Sequence, residues 1–322
     1  MKAKIGLEEH FSHPDTLGDS QEYFVEAKWN EMKKRLLDVD ELRLRLMDEH
    51  DMEMMIVSLN APAIQAISSA PKAIDTARRA NDLLAERISR RSDRFRGFAA
   101  LPMQDPEAAI LEAKRCVTDL GFVGALVNGF SQVGDEETAV YLDDARYQGF
   151  WAEFVKLDRP FYLHPRDPLA SRSRIYEGHP WLLGSAWAFG VETATHALRL
   201  MGSGLFDRHP DLQIILGHHG EGLPFLIWRV DHRVVTAPRG LAIKKSFQEY
   251  FRQNFYVTTS GSFRTQALLN ALLEIGSDRV LFSTDYPFEE ISEAATWFDG
   301  ASIAENDREK IGRLNAARLF RL

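Results

Sequence analysis

Eight short apolar segments recur along the chain, and this rhythm limits the possible fold more than any other feature of the sequence. The segments are KIGLEEH (4–10), MEMMIVSLN (52–60), RGFAALPM (96–103), FVGALVNG (122–129), PFYLHP (160–165), LQIILGHHG (212–220), FYVTTSG (255–261) and RVLFSTDYP (279–287). Each is rich in apolar or β-branched residues and is bounded by turns, which is typical of parallel strands buried on both faces of a sheet. The pattern therefore predicts eight parallel strands.

Helical patterns separate these segments. In DPEAAILEAKRCVTDLG, Asp105 is a suitable N-cap, Pro106 suits the first turn and Gly121 ends the helix. Further helical patterns fall at residues 38–50, 71–91, 143–157, 183–205, 223–234, 264–275 and 303–321. Strands alternating with helices predict an α/β fold, a (β/α)₈ TIM barrel that forms a single domain over residues 1–322. An open doubly wound sheet is the alternative, but no G-x-G-x-x-G motif follows the first strand.

Two segments are longer than a minimal barrel needs. Residues 11–37 follow the first strand, and residues 166–190 follow the fifth. Both inserted loops leave the C-terminal ends of strands, where barrel enzymes carry their substrate loops and lids. We expect these loops to cover a substrate or to contact another subunit, and insertion without function is the alternative.

Charge and cysteine content argue against several classes of function. The net charge of −8 argues against nucleic-acid binding. Cys116 is the only cysteine, so no intrachain disulfide can form, which agrees with a reducing cytoplasm. No apolar stretch approaches the roughly 18 residues that cross a membrane. We therefore expect a cytoplasmic protein that binds neither nucleic acid nor a membrane.

Polar side chains stand at the ends of several predicted strands. In KIGLEEHF, the alternation of a strand places Glu8 and His10 on one face and Glu9 on the other. The later strands end in Asn128, His164, His218 and Asp285. In a barrel all these positions meet at the C-terminal face. Two imidazoles and two carboxylates suit one divalent cation with a position left open for water or substrate, and these are Glu8, His10, His164 and Asp285.

A second pair of polar residues lies in the segment GHHGEGLP. If the strand ends at His218, that side chain faces the pocket and His219 turns away. Glu221 then either orients His218 or acts as an acid or base itself, and the alternative is that it only favours the start of the next helix. No site role is predicted for the remaining histidines, which are His13, His50, His179, His196, His209, His219 and His232.

The motifs of the chain resemble those of one branch of the amidohydrolase superfamily. They are LEEHF, SLNAPAIQAI, GFVGALVNGFSQ, FYLHPRDP, GHPWLLG, ILGHHGEGLP, VTTSG and LFSTDYPFE, which together run from residue 7 to residue 289. This branch consists of metal-dependent, non-oxidative decarboxylases, such as those of aminocarboxymuconate semialdehyde, 5-carboxyvanillate and the dihydroxybenzoates. The commoner opening of the superfamily is H-x-H, whereas Glu8 takes the first position here, as it does in this branch. No lysine stands where a bridging carbamate would be expected, which favours one metal ion over two.

The resemblance implies a role for each candidate residue. The metal ligands would be Glu8, His10, His164 and Asp285, holding one Mn²⁺ or Zn²⁺, and an oxygen-rich shell favours Mn²⁺. Asp285 would also deliver a proton to the substrate ring, and His218 and Glu221 would complete the catalytic set. The substrate contacts would be Asn128, His164, Tyr23, Phe24 and Arg229. Arg229 resembles an arginine that reaches the site of a neighbouring subunit, and the resemblance implies a homodimer or homotetramer.

The implied reaction is the reversible decarboxylation of an ortho-hydroxybenzoate, with 2,6-dihydroxybenzoate giving resorcinol and CO₂. Direct loss of CO₂ would leave an aryl carbanion, so the ring carbon has to be protonated first. An ortho hydroxyl that is ionised on a Lewis acid pushes electron density onto that carbon. Other hydroxybenzoates are alternative substrates. A metal-dependent hydrolase of a lactone, ester or amide is the alternative enzyme, and a non-catalytic metal protein is a further alternative.

Overall fold

Eight parallel strands form the centre of the molecule, in the computed structural model that describes residues 1 and 3–322. In chain order, β1 to β8 are Lys4–Phe11, Met52–Leu59, Phe95–Ala100, Gly124–Asn128, Phe161–His164, Ile214–Leu216, Phe255–Thr258 and Val280–Leu281. Each strand pairs with the next in the same order as in the sequence. This order is that of a (β/α)₈ barrel, and the predicted fold class is confirmed.

The seam between β8 and β1 closes the barrel. Beyond β8 the chain continues alongside β1, where the Asp285 N–H donates to the Glu8 carbonyl at 3.0 Å and the His10 N–H donates to the Tyr286 carbonyl at 2.6 Å. The Ser283 hydroxyl also accepts the Glu8 N–H at 2.6 Å. These bonds fix the ends of the first and last strands against each other.

Two layers of apolar side chains flank the sheet. The barrel interior holds side chains from all eight strands, among them Leu7, Ile56, Phe98, Leu126, Tyr162, Ile215, Tyr256 and Leu281. The opposite faces of the strands pack against the outer helices and form the larger core cluster. Both layers exclude water from the strands, which explains why their sequences are nearly continuous in apolar residues.

Helices surround the barrel. In chain order, α1 to α13 are Glu26–Leu37, Leu42–Glu49, Ala70–Ser89, Pro106–Thr118, Gln148–Phe154, Ala188–Gly202, Leu205–Arg208, Leu223–Thr236, Phe247–Asn254, Thr265–Ile275, Ile291–Gly300, Glu305–Glu309 and Asn315–Phe320. A π-helical turn over Lys310–Leu314 joins the last two. Among the described residues, no helix combines the length and the apolar character that crossing a membrane requires.

The structure corrects several helix predictions. The helix predicted at residues 183–205 begins only at Ala188, because the chain before it forms short 3₁₀ turns. Among the described residues, four helices were not predicted, namely α1, the short α7, α9 and α11. The long segment 11–37 is therefore largely helical, with a 3₁₀ turn over Leu17–Tyr23 followed by α1.

Candidate active site

Five metal-competent side chains meet at the C-terminal end of the barrel. Glu8 and His10 lie near the end of β1, and His164 ends β5. Glu8 Oε1 lies 3.2 Å from His164 Nε2 and 3.7 Å from His218 Nε2. Asp285 Oδ1 lies 3.3 Å from His10 Nε2, and Asp285 Oδ2 lies 3.6 Å from His218 Nε2. The structure thus brings together all four predicted ligands and adds His218 to them.

An irregularity in β1 aims Glu8 into the barrel. The pairing of β1 with β2 shifts register between Gly6 and Glu9. Leu7 belongs to the interior core, and Glu8, the next residue, also reaches inward to the interior Tyr162. Irregularities of this kind commonly re-aim side chains beside active sites. The shift lets an apolar residue fill the barrel directly beneath a metal-competent carboxylate.

Two buried atoms at this site lack a hydrogen-bond partner. They are Glu8 Oε1 and His10 Nε2, and both side chains are fully buried. A buried carboxylate oxygen and a buried imidazole nitrogen without partners are costly, unless a cation occupies the space between the groups. The potential ligand atoms of Glu8, His10 and His164 lie within 4.8 Å of one another, as do those of Glu8, His218 and Asp285. This donor set fits one divalent cation.

The other ring nitrogens of two histidines are already engaged. His164 Nδ1 donates to the Pro165 carbonyl at 3.0 Å, which leaves Nε2 free to act as a ligand. His10 Nδ1 lies 3.2 Å from the Ser58 hydroxyl. Such partners on the remote nitrogen fix the ring orientation of metal-binding histidines. Burial lowers the pKa of His164, which favours the neutral form that a metal ion requires.

His218 and Glu221 form a pair beside these ligands. His218 Nδ1 lies 2.8 Å from Glu221 Oε1, a contact that is compatible with Glu221 orienting His218, one of the roles considered for it above. Burial opposes the charged imidazole, but Glu221 and Glu8 outweigh it and raise the pKa of His218 well above its usual value. His218, Glu221 and Asp285 have φ values of 49°, 56° and 67°, in the left-handed region. Such strained backbone is common at functional sites, where surrounding structure holds it in place.

Glu8 and Asp285, the two carboxylates among the predicted ligands, are held in the ionised form. Burial raises the pKa of Glu8, but His218, His164 and His10 outweigh it and keep the pKa well below the usual value. Burial likewise raises the pKa of Asp285, whereas the neighbouring imidazoles of His10 and His218 lower it by more. These two carboxylates therefore bring negative charge among the imidazoles of the site.

A cavity of about 200 Å³ opens above these residues. Its polar floor includes His164, His218 and Asp285, and its walls are largely aromatic. Phe24 and Phe288 form one wall, with their rings nearly parallel at an interplanar angle of 14° and centroids 6.2 Å apart. The remaining lining residues are Ser20, Tyr23, Ala61, Ser185, Phe189 and Glu289. A flat, aromatic anion suits this combination of walls and floor.

The predicted substrate contacts differ in where the structure places them. Tyr23, Phe24 and His164 line the cavity. Asn128 is buried and is not among the residues that line the cavity; its amide nitrogen donates to the Asn60 carbonyl at 3.1 Å, and its Oδ1 has no hydrogen-bond partner. Arg229 is exposed on α8, and it is not among the residues that line the cavity of the described chain. A contact from Arg229 to a substrate would have to be made in another copy of the chain.

Several residues of the site were not predicted. Tyr162, Thr258 and Ser260 place their hydroxyls against Glu8. Tyr162 stands two residues before His164, so the alternation of the strand could have placed both on the inner face. Phe288 and Glu289 line the cavity from the segment after Asp285, where no periodic pattern marks them.

Comparisons with known proteins agree on one family. Residues 29–322 match the model of the family described as amidohydrolase. The chain is 62% identical over 327 residues to the gamma-resorcylate decarboxylase of Rhodococcus jostii (strain RHA1), covering 100% of this chain and 99% of that protein. A crystal structure of 2,6-dihydroxybenzoate decarboxylase complexed with 2,6-dihydroxybenzoate matches with a TM-score of 0.98 and 61% identity, over 100% of both chains. A dihydroxybenzoic acid decarboxylase from Polaromonas sp. JS666, with bound manganese and the inhibitor 2-nitroresorcinol, matches with a TM-score of 0.98 and 59% identity, over 100% of this chain and 98% of that one.

Proposed function

This chain belongs to the amidohydrolase family, and on that premise we propose that it catalyses the metal-dependent, non-oxidative decarboxylation of 2,6-dihydroxybenzoate to resorcinol and CO₂. The observation that carries the proposal is the position of Asp285. Its carboxylate lies between His10 and His218 on the floor of an aromatic cavity. A carboxylate that can accept and then donate a proton, placed on the floor of a cavity for a flat ring, suits protonation of a ring carbon.

The metal centre comprises one divalent cation, Mn²⁺ in preference to Zn²⁺. Its ligands are Glu8, His10, His164 and Asp285, and the unpartnered Glu8 Oε1 and His10 Nε2 support the assignment. Bound there, the ion supplies a Lewis acid that lowers the pKa of a substrate hydroxyl in contact with it. Manganese in the similar Polaromonas structure supports Mn²⁺.

Asp285 transfers a proton from the substrate hydroxyl to the ring carbon. Its lowered pKa means that it is ionised before the substrate binds, so it first accepts a proton from the ortho hydroxyl. It then returns that proton to the ring carbon that bears the carboxylate. The bond to CO₂ breaks, its electron pair restores the aromatic ring, and a proton from solvent completes resorcinol. One proton is consumed for each CO₂ released, so charge and atoms balance.

The neighbouring residues hold the ring in place. His218, kept charged by Glu221 and Glu8, stabilises the negative oxygens of the substrate. Phe24 and Phe288 pack against the ring and exclude water from the reacting carbon. Tyr23 covers the cavity from the first long loop.

The functional unit is a homodimer or homotetramer. Beside the cavity, a groove of about 640 Å³ runs between α6 and α8 and reaches His218 and Glu221. Exposed Trp187 and Leu226 line this groove, and a second copy of the chain would cover such an apolar surface. Arg229 lies on the same helix as Phe225 and Trp228 and would reach the substrate carboxylate of the neighbouring copy.

The deciding experiment uses purified, metal-quantified protein with 2,6-dihydroxybenzoate. We expect resorcinol and CO₂ in equal amounts, loss of activity on chelation, recovery with Mn²⁺, and inhibition by 2-nitroresorcinol. A folded, metal-loaded sample that forms no resorcinol would contradict the proposal. Parallel assays with salicylate, 2,3-dihydroxybenzoate and 5-carboxyvanillate test the substrate, and hydrolysis of an aromatic lactone without CO₂ would favour the hydrolase alternative.

A further inference from the structure

Three hydroxyl groups surround one oxygen of Glu8. The Tyr162 and Ser260 hydroxyls donate to Glu8 Oε2, and Thr258 Oγ1 lies 3.2 Å from the same atom. Glu8 Oε1 has no hydrogen-bond partner and faces His164 and His218. The two oxygens of this buried carboxylate are therefore in sharply different surroundings.

The hydroxyls form a connected network. Ser260 Oγ accepts the backbone N–H of His218 at 3.2 Å, which leaves its own proton for Glu8. Thr258 Oγ1 lies 2.7 Å from Ser260 Oγ and 3.1 Å from the Tyr162 oxygen. All three hydroxyl side chains are buried. The network thus joins β5, β7 and the turn after β6 around a single carboxylate oxygen.

Gly217 provides the space that the carboxylate occupies. A Cβ at this position would lie 2.7 Å from Glu8 Oε2 and 3.1 Å from Glu8 Oε1. Its φ is −71°, so the backbone conformation alone does not require glycine. The close approach of Glu8 requires it, because any side chain would displace the carboxylate.

We propose that Tyr162, Thr258, Ser260 and Gly217 form a hydroxyl cradle that positions Glu8 so that only Oε1 faces the metal, and that this cradle sets how tightly the metal is held. The proposal rests on the proposed function, because it concerns the same metal centre. A carboxylate can offer a cation one oxygen or two. With Oε2 engaged by hydroxyls, Glu8 offers one, and a position stays open for the oxygens of the substrate. Hydrogen bonds to ligating carboxylates also contribute to metal affinity.

The test compares two tyrosines. Tyr162→Phe removes one hydroxyl of the cradle and keeps the ring. Tyr147→Phe is the matched control, because Tyr147 is equally buried and its hydroxyl donates to the Met103 carbonyl at 2.7 Å, outside the cradle. Metal-free proteins are titrated with Mn²⁺ by calorimetry in the absence of substrate. We expect Tyr162→Phe to weaken Mn²⁺ binding by about 10- to 100-fold, and Tyr147→Phe to bind as the wild type does.

Ser260→Ala and Gly217→Ala extend the test. Both are expected to weaken Mn²⁺ binding, and their Mn²⁺ affinities test the proposal if Tyr162→Phe does not fold. Wild-type Mn²⁺ affinity in folded Tyr162→Phe and Ser260→Ala proteins would overturn the proposal. Metal binding is measured without substrate, so this test is independent of the decarboxylation assay. If the Mn²⁺ affinities change as expected but the wild-type protein releases no CO₂, the cradle is supported and the proposed function is contradicted.

Discussion

Asp285 combines two properties that a proton-transferring ligand needs. Its two oxygens face different imidazoles, Oδ1 toward His10 and Oδ2 toward His218. Its backbone N–H is anchored to the Glu8 carbonyl at 3.0 Å, which fixes the carboxylate at the seam of the barrel. A carboxylate held this way can exchange a proton with a ring above it without moving its backbone.

Replacing Asp285 with asparagine is the sharpest test at this scale. Asp285→Asn keeps the size of the side chain but cannot accept and return a proton, so we expect kcat to fall by about 10²- to 10⁴-fold or more. Resorcinol formation is followed in samples whose manganese content has been measured. Near-normal turnover in a metal-loaded Asp285→Asn protein would exclude this residue as the acid.

Residue types at the predicted strand ends indicated four candidate ligands, because strand ends converge in a barrel. The same reasoning did not predict a structural role for Glu9. Its carboxylate accepts the Thr284 N–H at 2.9 Å and the Ser283 hydroxyl at 3.1 Å, so it joins β1 to the segment that carries Asp285. Burial raises the pKa of Glu9 to about 7 despite these bonds. Nothing in the spacing of the sequence distinguishes this buried carboxylate from an exposed one.

At the scale of elements, the two long loops are joined by one acidic residue. Tyr23 in the first loop donates to Asp167 Oδ2 at 2.9 Å, and the Gly184 N–H donates to Asp167 Oδ1 at 2.8 Å. Tyr23 and Phe189 pack edge to face, with centroids 5.7 Å apart, over the cavity that both line. The expectation that these loops cover a substrate is consistent with this contact.

Removing the Tyr23 hydroxyl should loosen the cover without changing the chemistry. We expect Tyr23→Phe to raise KM by about 2- to 10-fold, the effect of losing one hydrogen bond, with little change in kcat. Steady-state kinetics with 2,6-dihydroxybenzoate measure both constants. An equal fall in kcat with KM unchanged would contradict a covering role and would place the hydroxyl in the reaction itself.

A buried histidine links another pair of elements and predicts a pH dependence. His196 on α6 accepts the Leu142 N–H at 2.9 Å through Nε2, and burial, with a contribution from Arg199, lowers its pKa to about 3. The folded protein therefore holds His196 neutral, whereas the unfolded chain protonates it below about pH 6.5. Its contribution to the free energy of unfolding is full above about pH 6.5 and is lost as the pH falls toward about 3, by about 1.4 kcal/mol per pH unit.

Urea unfolding between pH 7 and pH 4 measures this contribution. The His196→Gln variant, which cannot be protonated, should show a smaller loss of stability over that range than the wild type. His50, a half-buried histidine at the C-cap of α2, offers the control variant His50→Gln, which removes an imidazole away from α6. Identical slopes in all three proteins would show that His196 does not titrate on unfolding.

The helices that sequence reasoning missed had local signals of different strength. α9 begins with a complete capping box, in which Ser246 Oγ accepts the Glu249 N–H and the Glu249 side chain accepts the Ser246 N–H. That signal was readable in the sequence. α1 has no side-chain cap at its start, and Trp29, Met32 and Leu36 make up its own small cluster. Its inward face is defined by the neighbouring loop, which the sequence alone does not locate.

For the whole molecule, the barrel could be predicted because all eight strands repeat one pattern and the order of the strands follows the chain. The metal centre follows from that order, since its proposed ligands come from β1, β5 and the segment after β8. We therefore expect the metal to stabilise the whole fold, because its ligands come from opposite sides of the barrel.

Chelation of the metal should lower the thermal unfolding temperature by several degrees. A free metal concentration of about 100 times Kd contributes about 2.7 kcal/mol, and each kcal/mol shifts the transition by about 2–4 °C in a large domain. Calorimetry of metal-free and Mn²⁺-loaded protein measures the difference. Coincident transitions in samples with measured metal contents would show that the ion does not couple to folding.

The structure of one chain says least about how subunits assemble. The proposed role of Arg229 in the neighbouring subunit allows the assembly to be tested. If Arg229 acts in the neighbouring copy, an active site needs Asp285 from one subunit and Arg229 from the other. Arg229→Ala and Asp285→Asn should then each be nearly inactive alone, whereas co-expression should form hybrid dimers with one intact site. Random assembly makes half of the dimers hybrid, so about one quarter of wild-type activity should return. If both residues act within one chain, each hybrid carries two defective sites, and co-expression restores nothing.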